Sequence, residues 1–361
     1  MRGTRRFAGE PRQAYAVTVV VKFGTSLIAG VGGRVRRSLV RARAGEIAEL
    51  VRGGEPVCVV SSGAIALGLP RLGLERRPRS VPRLQAASAL GQGRLQALWD
   101  AELSRAGVPA AQILLTGTDV ADRTAYVNAR NALQALFRLG AVPVVNENDA
   151  TATDEIAFGD NDVLAAQVAI LLRARLLVLL TEVEGVYTRT PGEPGAELLR
   201  EGSLARDAVF GSGSALGRGG MRSKVIAAEI ASAAGIPTVI AAGAAGSVLG
   251  PIVAGEPRGT RFAPSAEPSS AFKLWLRFAK PAAGRLVVDE GARRAVAEQG
   301  ATLLAVGVVS CDGRFELGDA VELAGPDGAV FAKGIAGASA AELAGRPRGV
   351  EAVHRDRLVL Y

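Results

Sequence analysis

Apolar runs of strand length recur as far as residue 241, and helical patterns lie between them. The runs are Val17–Phe23, Val57–Ser61, Gln112–Leu115, Val142–Asn146, Leu176–Thr181 and Thr238–Ala241. They are rich in Val, Leu and Ile with little polar alternation, as strands buried on both faces must be. The helical patterns lie near Ser38–Arg52, Leu84–Arg105, Ala125–Leu139, Asp162–Leu172 and Arg222–Ala234. Such repetition predicts an α/β fold: a mostly parallel open sheet with helices on both faces, an αβα sandwich. Ligands of these sheets bind beyond the carboxyl ends of the strands, so the polar clusters that carry chemistry are to be sought there.

The pattern changes near residue 262. Ala263–Ala271 (APSAEPSSA) reads as a linker, and short β-type runs follow it at Phe272–Phe278, Arg285–Val288, Leu317–Leu323 and Val330–Gly334, with one helix at Asp289–Gln299. A chain of 361 residues, 48% hydrophobic, is long enough for two domains without disulfide staples. The expected organisation is a disordered extension (1–14), an α/β domain (15–262), the linker (263–271) and a small, mostly β domain (272–361).

Charge is unevenly spread. Residues 1–100 hold 17 Arg and Lys against 6 Asp and Glu, whereas residues 272–361 hold 12 against 11. A basic half points to an anionic ligand, and a nearly neutral tail argues against a strong nucleic-acid footprint. Only five of the 43 basic residues are lysines (Lys22, Lys224, Lys273, Lys280 and Lys333). A lysine kept in an arginine-rich chain marks a place where a compact ammonium is needed. Cys58 and Cys311 are far apart in sequence, which excludes a disulfide framework and fits a reducing cytoplasm. The uncharged stretch 230–254 is broken by Gly235, Pro237, Gly243, Gly246, Gly250 and Pro251, and so is not expected to span a membrane.

Four polar clusters stand out. Lys22-Phe23-Gly24-Thr25-Ser26 follows the first strand, and Ser61-Ser62-Gly63 follows the second. Glycine, hydroxyls and a lysine at strand ends can cradle an anion, although either cluster alone also fits an ordinary turn or helix cap. Asn146-Glu147-Asn148-Asp149 and Gly159-Asp160-Asn161-Asp162 crowd polar side chains where one buried strand ends and an apolar helix begins. Such a set can grip an ammonium and orient lysines. Finally, Gly217-Arg218-Gly219-Gly220-Met221-Arg222-Ser223-Lys224 runs from a glycine-rich loop into a helix, which favours phosphate. No P-loop and no G-x-G-x-x-G occurs, and the lone His354 lies outside these clusters, against histidine-based hydrolysis.

Taken together, the strings KFGTS (22–26), SSGAIA (61–66), LLTGTDVADRTAYVNAR (114–130), VVNENDA (144–150), FGDND (158–162), LLTEVEGVY (179–187) and GGMRSK (219–224) resemble the amino acid kinase family. The tail, with AVHRD at 352–356, resembles a PUA domain. The resemblance implies ATP-dependent phosphorylation of the side-chain carboxylate of L-glutamate, the reaction that opens proline biosynthesis. It implies ATP with Mg²⁺, proline as an inhibitor, and a homo-oligomer (dimer or tetramer). It implies that Lys22 and Lys224 contact the transferring phosphoryl group and that Asp162 orients them. Thr181, Glu182 and the segment Arg218, Gly219, Gly220, Met221, Arg222, Ser223 and Lys224 would contact ATP. Ser62, Asp149 and Asn161 would hold glutamate, and no residue is assigned as a metal ligand. Three positions depart from the family pattern: Arg218 in place of Thr, Glu182 in place of Asp, and Phe23 in place of a smaller aliphatic residue. Aspartokinase-type members typically carry a further Gly in the first string and a different tail. The PUA-like tail leaves RNA as an open partner despite its charge.

Overall fold

The computed structural model describes residues 18–74, 76–151, 161–207, 220–267 and 282–361, together with Lys273, Leu276, Arg277 and Lys280. The strands of the first unit are β1 (Val19–Phe23), β2 (Val57–Ser61), β3 (Ala110–Leu115), β4 (Val142–Glu147), β5 (Leu176–Thr181), β6 (Val186–Tyr187), β7 (Leu198–Leu199), β8 (Thr238–Ala242) and β9 (Thr260–Phe262). Its helices are α1 (Thr25–Ile28), α2 (Arg37–Arg52), α3 (Ala64–Gly68), α4 (Val81–Arg105), α5 (Gly117–Ala121), α6 (Arg123–Arg138), α7 (Asn161–Leu172), α8 (Met221–Ala233) and α9 (Leu249–Val253).

The main sheet has the order β3-β4-β2-β1-β5-β8-β9. All its pairings are parallel except the last, where β9 runs antiparallel to β8. The predicted α/β class and parallel sheet are therefore observed. Starting from β1 at the centre, the chain first builds one half of the sheet through β2, β3 and β4, then crosses to build the other through β5 and β8. That reversal defines a crevice at the carboxyl ends of the strands.

Strand alternation divides the core into two layers. Val19, Val21 and Phe23 of β1 pack with Val40, Ala44, Ile47 and Ala48 of α2 and with Leu95, Leu98 and Trp99 of α4. Val20 points to the other face, among Ala165, Val168 and Ala169 of α7 and Ala227, Ala228 and Ala231 of α8. Small side chains let α7 and α8 lie close to the sheet and to each other, and α7 is apolar nearly all round because it is buried nearly all round. By the same alternation Lys22 must follow Val20 onto the α7/α8 face.

Two close approaches fix α3 beneath the crevice. Gly63 adopts φ 118°, which a side chain tolerates poorly, and a Cβ there would meet Ile28 at 3.0 Å. A Cβ on Gly68 would lie 1.8 Å from the carbonyl oxygen of Ala87, and one on Gly91 1.8 Å from that of Ala64. The α3 and α4 backbones thus touch, and α4 carries the segment that follows β2.

The second unit is a six-stranded, largely antiparallel sheet containing Ala282–Val288, Leu303–Leu304, Val308–Gly313, Ala320–Ala324, Val330–Ala336 and Glu351–Leu360. Helices Glu290–Gln299 and Ala340–Ala344 accompany it, the first capped by Asp289, whose carboxylate accepts from Ala292 N–H at 2.8 Å. Its core (Leu286, Val288, Val321, Leu323 and Val353 among others) shares no member with the two layers above. Two expectations need correction. Of the expected strand Phe272–Phe278, only Lys273, Leu276 and Arg277 are described, and they are helical. The expected strand Leu317–Leu323 begins only at Ala320, because Leu317 is 70% exposed and Gly318 (φ 94°) turns the chain. The expected extension 1–14 lies outside the described residues, as does the end of the linker.

Candidate active site

Lys22 sits near the end of β1 between Val60 and Leu179 of the neighbouring strands, and it is only 3% exposed. Its Nζ lies 2.5 Å from Asp162 Oδ1. Lys224, in the second turn of α8, places its Nζ 3.1 Å from Asp162 Oδ2. Ser223 donates to the same oxygen at 2.7 Å. Asp162 is in the first turn of α7, where the helix dipole favours a carboxylate, and no part of it is exposed. Burial alone would push its carboxyl up; the charges of Lys22 and Lys224 and the hydrogen bonds outweigh this and hold it at about 2. Two buried ammoniums thus share one fixed carboxylate, two cationic groups to one anionic group within the triad.

Beside this triad runs a buried amide network. Asn161 Nδ2 donates to Ser62 Oγ at 3.0 Å and to Asn146 Oδ1 at 2.9 Å. Asn146 Nδ2 donates in turn to Gln92 Oε1 at 2.6 Å. Ser62 N–H donates to the Phe23 carbonyl, and Trp99 Nε1–H donates to Ser61 Oγ at 2.9 Å. Asp149, in the turn after β4, accepts from Ser88 Oγ. Burial raises the Asp149 carboxyl above its usual range, against the Ser88 hydrogen bond and the charge of Arg77. Asp149 Oδ1 and Asn161 Oδ1 are buried with no hydrogen-bond partner among the described residues. Orphaned buried acceptors are costly, and a ligand cation is the natural donor to them.

On the other half of the sheet, Thr181 ends β5, and its carbonyl accepts from Gly243 N–H at 2.7 Å. Glu182 is exposed and lies 3.5 Å from Arg36, which also donates to the Ser26 carbonyl at 3.0 Å. Arg36 therefore joins the turn after β1 to the segment after β5. Gly220 precedes α8, Met221 opens it, and Arg222 is exposed in its first turn. Arg218 and Gly219 lie outside the described residues. Phe23, the departure next to Lys22, is 1% exposed and meets Trp99 edge-to-face with ring centroids 4.8 Å apart, so its bulk enters the α2/α4 layer.

The structure therefore brings Lys22, Asp162, Ser223 and Lys224 into one group, and Ser62 and Asn161 into another. It ties Asp149 to a residue not foreseen, Ser88 on α4. Gln92 and Trp99 of the same helix were also missed. Their signal was available: Ser88, Gln92 and Trp99 put polar atoms on a helix side that otherwise packs inward. Among the described residues no group of three His, Cys, Asp or Glu could hold a metal, and no helix is long and apolar enough to cross a membrane.

A parallel sheet with a topological reversal, a lysine–aspartate–lysine triad and no P-loop define a phosphotransferase of the non-P-loop kind. Comparison with known proteins agrees. The model of the amino acid kinase family matches residues 17–242, and that of the PUA domain matches residues 284–355. The chain belongs to the amino acid kinase family and carries a C-terminal PUA domain. It is 44% identical to the glutamate 5-kinase of Gloeobacter violaceus, over 95% of this chain and 99% of the relative. It is 43% identical to that of Anaeromyxobacter dehalogenans (95% and 96%) and 41% identical to that of Cupriavidus metallidurans (96% and 98%).

Proposed function

We propose that this chain transfers the γ-phosphoryl group of ATP to the side-chain carboxylate of L-glutamate, giving ADP and L-glutamyl 5-phosphate, the first step of proline biosynthesis. The observation that carries the reading is the buried Lys22–Asp162–Lys224 triad at the carboxyl ends of the central strands. Phosphoryl transfer asks a protein for alignment and charge neutralisation rather than covalent chemistry. The acceptor is a carboxylate, already a nucleophile at neutral pH, so no general base is required. A glutamate oxygen forms the new bond to the γ-phosphorus while the bond to the β–γ bridging oxygen breaks and its electron pair leaves with ADP. The two ammoniums stabilise charge spreading over the phosphoryl oxygens. Asp162 fixes their positions and stays ionised throughout, since its carboxyl is held far below neutrality.

Glutamate belongs on the β1–β2–β4 half of the crevice. Its ammonium matches the free acceptors of Asp149 and Asn161, with Ser62 held alongside by the Asn161 amide. ATP, as its Mg²⁺ complex, belongs on the β5–β8 half, against Thr181, Glu182 and the segment 220–224. The N-terminus of α8 offers backbone donors to its phosphates. Bound with the nucleotide, Mg²⁺ would supply further positive charge at the phosphates. Proline carries the same amino-acid ammonium and carboxylate, and we take it to inhibit by competing at the glutamate half. Assembly into a dimer or tetramer belongs to the same proposal, with Leu90 of α4 and Leu114 of the edge strand β3 exposed for burial between copies.

The test is ATP-dependent trapping of the acyl phosphate by hydroxylamine, with glutamate, aspartate and N-acetylglutamate in parallel. Hydroxamate from glutamate well above the other two is the expected result. Faster turnover of aspartate would overturn the substrate assignment.

A further inference from the structure

Helix α4 forms a wall of the glutamate half. Ser88, Gln92 and Trp99 are separated by four and seven residues, a spacing that keeps them on one side of a helix. Each bonds a different segment of the site: Ser88 the turn after β4, Gln92 the end of β4, and Trp99 the end of β2. The last two act through neutral amides and hydroxyls. Ser88 alone bonds a carboxylate.

The geometry at that carboxylate is asymmetric. Ser88 is 3% and Asp149 5% exposed, so water does not compete freely for either. Ser88 Oγ lies 2.5 Å from Asp149 Oδ2, and between a hydroxyl and a carboxylate only the hydroxyl can donate. Oδ1 is buried and has no partner among the described residues. Asp149 lies in a turn, outside strand and helix, and among the described residues the hydrogen bond from Ser88 is the only one to its carboxylate. Without it no hydrogen bond among the described residues sets the rotation of the carboxylate about its Cβ–Cγ bond, and only the less directional charge of Arg77 acts on it.

We propose that Ser88 is a positioning residue for the amino-acid substrate: by donating to Oδ2 it fixes the rotation of the Asp149 carboxylate, so that Oδ1 faces the substrate ammonium. This rests on the reading of Asp149 as the ammonium's acceptor. Ser88 touches no reacting atom, and its effect passes entirely through Asp149.

Two consequences separate this role from simple packing. Loss of the hydroxyl should weaken glutamate binding and leave nucleotide binding alone, because Asp149 lies on the glutamate half. It should also move the acid limb of the pH profile. Burial raises the Asp149 carboxyl, and two groups oppose it, the Ser88 hydroxyl from α4 and the charge of Arg77 from the segment before α4. With the hydroxyl gone, the proton leaves Asp149 only at higher pH, and the acid limb of kcat/KM for glutamate shifts upward. A packing defect would lower the plateau without moving the limb.

The experiment uses the full chain as parent, Ser88→Ala, Asp149→Asn and the double variant, with glutamate and ATP KM, kcat and the pH profile for each. Ser88→Ala is expected to raise the glutamate KM about tenfold or more, the worth of a hydrogen bond to a charged group. The ATP KM should stay within about twofold, and the acid limb should move up. In the Asp149→Asn background, Ser88→Ala should change the glutamate KM by less than about twofold, since its partner's charge is already gone. An unchanged glutamate KM in Ser88→Ala, or the same increase in both backgrounds, would overturn the proposal. If Asp149→Asn itself leaves the glutamate KM unchanged, the reading of Asp149 falls and Ser88 with it. If Asp149→Asn acts and Ser88→Ala does not, that reading stands and only the role of Ser88 is refuted.

Discussion

Replacing Asp162 by Asn should separate two jobs of the central triad, because it removes the carboxylate that two buried ammoniums share. Lys22 and Lys224 are 3% and 5% exposed and lie 2.5 Å and 3.1 Å from the Asp162 oxygens. Leaving a buried charge without its partner costs about 3–5 kcal/mol, a large share of the roughly 5–15 kcal/mol that holds a domain folded. At about 2–4 °C per kcal/mol for a domain of this size, the melting midpoint should fall by roughly 10 °C. Lys224→Gln should cost less, since Asp162 keeps Lys22 and Ser223. The double variant Asp162→Asn/Lys224→Gln should recover part of the stability lost in Asp162→Asn, having one buried ammonium fewer beside the lost carboxylate. Turnover should recover in none of them. Acid unfolding gives an independent check. The Asp162 carboxyl is depressed to about 2, so its stabilisation is complete above the ordinary carboxyl range near pH 4 and is lost as pH falls from there through 2. The parent should therefore lose stability more steeply across that window than Asp162→Asn. Urea unfolding and the hydroxamate assay on the same preparations measure both quantities. A double variant less stable than Asp162→Asn, or an Asp162→Asn protein as stable as the parent, would refute the reasoning.

Other outcomes follow from the same geometry. Lys22→Ala and Lys224→Ala should each lower turnover by roughly two to three orders of magnitude, the worth of one preorganised charge at the phosphoryl group; near-normal turnover would remove that lysine from the mechanism. The Lys→Arg variants should also be impaired, because a planar fork does not fit where a compact ammonium is packed. Asp149→Ala and Asn161→Ala should raise the glutamate KM more than the ATP KM, and free proline should compete with glutamate; the reverse order would place these residues on the nucleotide. A chain ending at Glu267 should unfold cooperatively and keep glutamate-dependent turnover. It retains the bonds that Ser232 makes to Ala263 and Ser265, and the apolar cores on either side of the cut share no residue. A folded but inactive product would mean that the tail completes the site.

The fold was legible wherever burial imposes a long, regular signal. The bounds of β2 and β5 are those read from the sequence, because in strands covered on both faces the apolar run is unbroken and ends at a single polar residue, Ser61 or Thr181. The β6/β7 pair and β9 have two or three residues each, too few for any period to show. In the second unit Glu351–Leu360 is a strand of ten residues whose middle is His354-Arg355-Asp356-Arg357. There the backbone ladder with its neighbours, rather than apolar patterning, decides the structure. Leu317 erred in the opposite direction: its apolar side chain lengthened an expected strand, although it lies exposed beside a turn.

The site was legible as a set of strings and not as an arrangement. The first two clusters alone fitted an ordinary turn or cap, and the scarcity of lysine was a further hint that Lys22 and Lys224 had work that arginine could not do. Their meeting could in principle have been derived. Val20 and Lys22 share a face of β1, the helices after β4 and before β8 cover one face of the sheet, and a buried lysine there requires a carboxylate. Only Asp162 stands at the start of such a helix in the described chain, and it takes both lysines. For α4 the sequence shows polar groups on an inward helix side but not the segments they bond. Ser88, Gln92 and Trp99 bond residues that lie 61, 54 and 38 positions away in sequence, and the close approach of Gly68 and Gly91 holds α4 against α3, the helix that follows β2. A string shows which groups are present; which of them act together depends on how closely two helix backbones can approach, and here two glycines set that approach.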